Sequence, residues 1–264
     1  MISRLIDRIL ISAPWKEELE ESLLKVGFDD PKKSWAHLTV LAKEINFRDL
    51  FPDFFPKLLQ ALSNSYEPES ALINFLRFSE KIQDKNHLYT LLCGSENLLQ
   101  ALIVMFSGSQ ILTDTLLSNP AHFDWLKKTD TLNKPKSKDN LFRDFYAMAE
   151  KNFSSDQTPS LLRKFKRREY IRIGLRDLMN LADLKENVRD LSNLADVCLQ
   201  IAFEHADKTL KIKHGVPMYK KPNGTWAESE FTVIGLGKLG GEELNYSSDI
   251  DLIYIYTSSM GQTK

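Results

Sequence analysis

The sequence predicts a mainly α protein, an irregular helical bundle followed by the start of a small α/β part. Three observations carry that prediction. From the first residue to about residue 210 the apolar side chains recur at spacings of three and four, the period of an amphipathic helix. The stretch KHGVPMYKKPNGTWAESE, residues 213–230, then brings Gly215, Pro217, Pro222 and the turn dipeptide Asn223-Gly224. Beyond it, in FTVIGLGKLGGEELNYSSDIDLIYIY, residues 231–256, the period falls to two. The chain is therefore read as a helical domain over 1–212, a linker or turn segment over 213–230, and the beginning of a second domain over 231–264.

In chain order the spacing predicts helices near 1–11, 15–26, 32–45, 56–65, 69–83, 87–93, 96–107, 109–118, 121–127, 139–152, 159–181 and 185–211. Their breaks fall at proline, glycine or polar clusters. Ser95 is placed to cap the helix ENLLQALIVMF, and Ser34 or Pro31 to open WAHLTVLAKEI. The polar, mixed-charge KKTDTLNKPKSKDN, 127–140, reads as a solvated loop. Two strands follow the linker, at 231–236 and 249–256, joined by a glycine-rich turn with room for one helical turn.

Composition narrows the classes of function. At 264 residues and 42% apolar content the chain buries a real core. Thirty-five basic against 36 acidic residues leave a net charge of -1, which gives no global electrostatic reason to expect nucleic acid or a membrane surface. Cys93 and Cys198 sit in apolar segments, as small buried hydrophobes do, and fit a reducing cytoplasm. The N-terminal stretch alternates charge with apolar residues and lacks the apolar run of a signal peptide. No His or Cys pair has zinc-ligand spacing.

Gly235, Gly237 and Gly240 form a literal G-x-G-x-x-G behind a β-branched run. A dinucleotide fold needs a crossover helix there, leading to a parallel strand. Only the eight residues GEELNYSS separate Gly240 from Asp249, too few for a crossover of roughly 10–12 or more. The alternation in SDIDLIYIY instead puts Asp249 and Asp251 on one face, about 6–7 Å apart along a strand. Two hard oxygen donors so placed suit Mg²⁺, with positions left for phosphate oxygens. Glycines upstream let backbone N–H groups approach a polyphosphate. A bare Asp-x-Asp is more often a solvated strand start; the glycine turn before it and the apolar strand behind it favour nucleotidyl or phosphoryl transfer.

GLGKLGGEELNYSSDIDLIYIY resembles the signature of the bacterial glutamine synthetase adenylyltransferase/deadenylylase family, within the polymerase-β-like nucleotidyltransferase superfamily. FSGSQILTDTLLSNPAHFDWL, 106–126, and LLRKFKRREYIRIGLRDLMNLADL, 161–184, resemble the same family. The resemblance implies that the C-terminal residues begin a nucleotidyltransferase domain in which Asp249 and Asp251 are the catalytic, Mg²⁺-binding carboxylates. It implies backbone contact to phosphate at Gly237, with Lys238 in the second position, where the wider superfamily carries Gly or Ser. Ser248 is assigned either to phosphate or to fixing the start of the strand. Glu243 and Asn245 are read as capping the turn.

The family's proteins carry two tandem halves, and Met1 followed by some 230 largely helical residues resembles the N-terminal half. That half is implied to remove AMP from an adenylylated tyrosine of glutamine synthetase by phosphorolysis, yielding ADP. Its implied partners are glutamine synthetase, inorganic phosphate, an adenine nucleotide and the PII signal protein. The superfamily's third carboxylate lies on a later strand than any here, so the fragment alone is expected to be inactive. Two other readings stay open: another nucleotidyltransferase using a triphosphate, and a non-catalytic helical docking or regulatory module.

RKFKRREYIRIGLRD, 163–177, adds a basic helix. Arg168, Arg172 and Arg176 fall within an arc of about 80°, and Leu161, Phe165 and Leu175 share that sector, which predicts a partly buried stripe. Buried arginine requires an anion. Either carboxylates satisfy it, Glu169 and Asp177 among them, or the stripe and Arg172 in particular help bind phosphate or an acidic surface of the substrate protein.

Overall fold

The computed structural model describes residues 2–10, 14–44, 47–127, 131–149 and 157–264. Two compact units divide the chain, Met1–Asn133 with Gly174–Leu181, and Lys134–Ile173 with Ala182–Lys264. The mainly α class with a small α/β part is what the structure shows.

The first unit holds α1 (Ile2–Leu10), α2 (Glu20–Val26), α3 (Pro31–Glu44), α4 (Phe47–Ser63), α5 (Pro68–Ser79), α6 (Lys85–Gly94), α7 (Glu96–Gly108), α8 (Gln110–Ser118) and α9 (Ala121–Leu126). Its core is aromatic. Phe54, Phe75, Phe78, Tyr89 and Phe106 are buried, with Phe54 and Tyr89 at 5.4 Å and Phe78 against Phe123 at 5.3 Å between ring centroids. Asn74 donates Nδ2 to the Phe106 carbonyl at 2.9 Å, tying α5 to the end of α7 inside that core. The apolar α6 and α7 meet at a 110° bend, and among the described residues no single helix is long and apolar enough to cross a membrane.

Helix starts differ from expectation where side chains decide. α4 begins at Phe47, not near 56, and runs through Pro52 and Pro56. Each interior proline removes a backbone bond, at a cost of about 3 kcal/mol. Phe51, Phe54, Phe55, Leu58 and Leu62, all fully buried at helical spacing, outweigh that cost. Ser95 makes no side-chain cap bond to α7. α3 opens at Pro31, and Asp30 accepts from Lys33 N–H at 3.0 Å, so Asp30 caps it rather than Ser34. The ends of the helices predicted at 1–11, 32–45 and 139–152, and residues 128–130 of the predicted loop, lie outside the described residues.

The second unit is built on α10 (Lys138–Ala149), α11 (Thr158–Leu178), whose residues from Gly174 belong to the first unit, and α12 (Leu184–His214). α11 stops three residues short of expectation. Asn180 turns left-handed at φ 55°, and Leu181 N–H reaches back to the Arg176 carbonyl at 2.8 Å, which closes the helix. Asp183 caps α12 by accepting from Glu186 N–H at 2.7 Å.

After α12 come β1 (Pro217–Lys220), β2 (Trp226–Glu228), β3 (Phe231–Gly235), α13 (Gly237–Gly240), β4 (Leu252–Tyr256) and β5 (Gly261–Thr263). The segment read as a linker thus contains a hairpin. Its turn is the predicted Asn223-Gly224, with Gly224 at φ 82°, and β1 pairs antiparallel with both β2 and β5. Pro217, the first residue of β1, and Pro222 just beyond its end hid this short strand in the sequence. β3 and β4 pair antiparallel, Phe231 opposite Tyr256 and Gly235 opposite Leu252. Leu239 and Leu244, from the connection between β3 and β4, are buried in one core with Leu141, Phe165, Leu191 and Leu194 of the three helices.

Candidate active site

The connection from Leu236 to Asp251 is held from below by two anchors. Leu239 and Leu244 are each 4% exposed, and Leu244 N–H donates to Ser192 Oγ of α12 at 3.1 Å. Ser192, itself buried, donates its own hydroxyl to the Val188 carbonyl at 2.8 Å. Those two leucines sink, while Lys238, Asn245, Asp249 and Asp251 are exposed, as are Leu236, Tyr246 and Ile250.

Within this frame Gly237 has φ 54°, a left-handed conformation that glycine adopts without strain. A Cβ added there would lie 3.6 Å from Asp251 Oδ2, so the missing side chain leaves the space beside that carboxylate open. At Gly240 an added Cβ would fall 2.6 Å from the Gly235 carbonyl oxygen, and only glycine permits the turn to close so tightly. Leu236 N–H donates to the Asp251 carbonyl at 2.9 Å, one step past the Gly235–Leu252 pair, which fixes Asp251 against the start of the glycine turn. β4 begins at Leu252, so Asp249 and Asp251 precede the strand instead of opening it as the alternation suggested. The antiparallel pairing also leaves no parallel crossover, the feature a dinucleotide-binding loop requires.

Ser248 is half-buried and donates Oγ to Asn245 Oδ1 at 2.6 Å, bracing the turn before Asp249. Asp249 and Ser248 line a cavity of about 320 Å³ whose walls include Lys166 and Tyr170 of α11, Leu194 and Cys198 of α12, and Leu244. Burial pushes the Cys198 thiol up to about 12, which makes it a wall and not a nucleophile. Burial also raises the Tyr170 phenol above its ordinary value.

Arg172 does not line this cavity. It is fully buried in α11, where Nε meets Glu169 Oε2 and Nη1 meets Asp190 Oδ2, both at 2.8 Å. Burial works against its charge, but Glu169, Asp190 and their hydrogen bonds prevail and raise its pKa. Lys136 joins the same network at 2.6 Å from Asp144 and 3.0 Å from Glu169. In the first unit Arg176 donates Nη1 to the Leu132 carbonyl at 2.6 Å. Asp190, 18 residues along the chain, and Lys136, 36 before Arg172, had no signal in the sequence. Neither had Ser192 or Tyr246, whose ring packs edge-on against Tyr170 at 6.2 Å.

The site is thus a glycine turn and two exposed carboxylates at the mouth of an antiparallel strand pair, carried on a helical scaffold. The chain belongs to the glutamate-ammonia ligase adenylyltransferase family, which matches residues 99–264. Curated relatives named bifunctional glutamine synthetase adenylyltransferase/adenylyl-removing enzyme extend the likeness across the helical region. That of Nitrosococcus oceani is 28% identical over 257 residues, 92% of this chain and 26% of its own length. Those of Leifsonia xyli and Corynebacterium glutamicum are 25% and 26% identical over 91% and 88% of this chain, each along 22% of its own length. The chain spans about a quarter of the length of these relatives.

Proposed function

We propose that this chain belongs to the adenylyl-removing half of a bifunctional regulator of glutamine synthetase, acting in the cytoplasm. In this reading AMP leaves an adenylylated tyrosine of glutamine synthetase by phosphorolysis, and the products are ADP and the free tyrosine. The observation that carries it is the approach of Gly237 to Asp251, which leaves the carboxylate open to a ligand at a glycine turn.

The donor set fits a magnesium ion. Asp249 and Asp251 supply hard oxygens, both are exposed, and Mg²⁺ ordinarily takes one or two carboxylates with phosphate and water completing its shell. Among the described residues no group of three His, Cys, Asp or Glu that could hold a metal is found. Bound there, the metal would neutralise charge on the adenylyl phosphate. The chain's own part is positional. Leu239, Leu244 and the Ser192 bond hold the turn rigid, the Leu236–Asp251 bond sets the carboxylate against it, and Lys238 stands exposed at the turn as a cation for phosphate. Ser248 braces the approach through Asn245. Arg172, occupied by two carboxylates, is assigned to holding α11 on α12. The PII signal protein is the proposed regulatory partner.

The test is the product. Intact protein incubated with adenylylated glutamine synthetase, Mg²⁺ and phosphate is expected to release ADP in step with loss of the adenylyl group. Formation of ATP from pyrophosphate, with no ADP from phosphate, would assign the site to AMP addition instead. Metal-independent binding to glutamine synthetase without either product would leave only docking.

A further inference from the structure

The cavity beside Asp249 is unused by the reading above, and its walls have a particular chemistry. Leu194, Leu244 and the inert Cys198 make it chiefly apolar, while Lys166 and Tyr170 supply one cation and one aromatic face. The Lys166 ammonium lies 5.1 Å from the centroid of the Tyr170 ring, and Tyr246 braces the same ring edge-on. At about 320 Å³ the space is at the small end of ligand pockets and suits one flat ring system. Asp249 lies in its wall, so a ring held inside would have its substituents directed to the carboxylates.

We propose that this cavity is the subsite for the adenine base of the nucleotide, with Lys166 as its specificity-determining contact; the proposal rests on the nucleotide-transfer reading of the same site. A substrate of that reaction carries two rings, the purine and the tyrosyl ring. The purine has unprotonated ring nitrogens that accept from an ammonium in the ring plane, whereas the tyrosyl ring has no ring nitrogen and its oxygen, esterified to phosphorus, is a weak acceptor. The apolar walls and Tyr170 cover the faces of the purine, and Lys166, exposed at the rim, meets its edge.

Equilibrium binding of ADP and of inorganic pyrophosphate, each with Mg²⁺, to the intact protein tests it. Lys166→Met changes an exposed side chain and is expected to weaken ADP about tenfold, the worth of one charge-assisted hydrogen bond, while pyrophosphate affinity holds. Ala195→Phe, which fills the same cavity, should act likewise, with a thermal melt confirming that it folds. ADP affinity unchanged in both variants overturns the proposal, as does equal loss of ADP and pyrophosphate in Lys166→Met, or no ADP binding by the unaltered protein at millimolar concentration. Phenyl phosphate binding that is lost in Lys166→Met while ADP is retained would give the cavity to the tyrosyl ring and overturn it too. Asp251→Asn separates the two layers: if it weakens neither probe while Lys166→Met still weakens ADP, the metal assignment fails and the base subsite stands.

Discussion

Arg172 Nε and Glu169 Oε2 lie 2.8 Å apart on successive turns of α11, and neither side chain has any exposed surface. A pair so deep gives up its hydration and survives only if each charge stays matched. Here Asp190 takes the second face of the guanidinium and Lys136 the second face of the Glu169 carboxylate. Removing Arg172 therefore leaves Glu169 to Lys136 and Arg168 and takes from the buried Asp190 carboxylate the guanidinium it pairs with. Arg172→Ala is expected to destabilise the fold by about 3–5 kcal/mol in urea unfolding, the range for breaking a buried pair. A loss below 1 kcal/mol, with phosphate affinity falling, would make Arg172 a binding residue after all.

Cys198 gives a pH-dependent prediction. Burial pushes its thiol from an ordinary 9 up to about 12, so the folded protein holds this proton more tightly than the unfolded chain does. Between those values the native state binds more protons, and stability must fall as pH rises through that window. In a Cys93→Ser background, urea midpoints measured from pH 8 to 11 should decline more than those of the Cys93→Ser, Cys198→Ala double variant. Native Cys198 should also resist iodoacetamide at pH 8 and react on unfolding. Rapid alkylation of the folded protein would contradict the raised thiol pKa of this half-buried side chain.

What the sequence discloses follows from the range of the forces involved. Helical periodicity is local, so each predicted helix corresponds to one that is found, although α4 starts nine residues early because tertiary burial of Phe51, Phe54 and Phe55 overrides two prolines. The buried arginine stripe was legible for the same reason, as was Glu169 one turn away. Asp190, Lys136 and the Tyr170–Tyr246 contact were not, since partners on other elements leave no trace in spacing. Asp249 and Asp251 stood out because a glycine turn and a carboxylate pair occur within 15 residues, but the strand that begins only at Leu252 shows that alternation extends past the pairing that normally accompanies it.

Gly237 separates conformational strain from function. Any L side chain at φ 54° costs about 1–2 kcal/mol, and Gly224, at φ 82° in open space, sets the same backbone demand away from the carboxylates. Gly237→Ala and Gly224→Ala should therefore lose similar stability, on the order of 1 kcal/mol by thermal or urea unfolding. Only Gly237→Ala, whose new methyl would stand 3.6 Å from Asp251 Oδ2, should also weaken Mg²⁺-dependent nucleotide binding. Equal binding in the two variants would show that the turn does not cradle phosphate.

The carboxylates themselves carry the strongest expectation. Asp249 and Asp251 are exposed and precede β4, so exchanging either for the isosteric amide removes a charge without disturbing the core that Leu239 and Leu244 anchor. Surface changes of this kind stay within about 0.5 kcal/mol of the parent. If the pair holds the metal, Asp249→Asn and Asp251→Asn in the intact protein should each lower ADP release from adenylylated glutamine synthetase by at least about a hundredfold, the scale on which loss of transition-state charge stabilisation is felt. A metal-dependent loss also predicts partial recovery at high Mn²⁺, because a weakened donor set is refilled by mass action. Phosphorolysis that survives both substitutions at its original rate would remove these two residues from the reaction, and the glycine turn beside them would then be a structural turn alone.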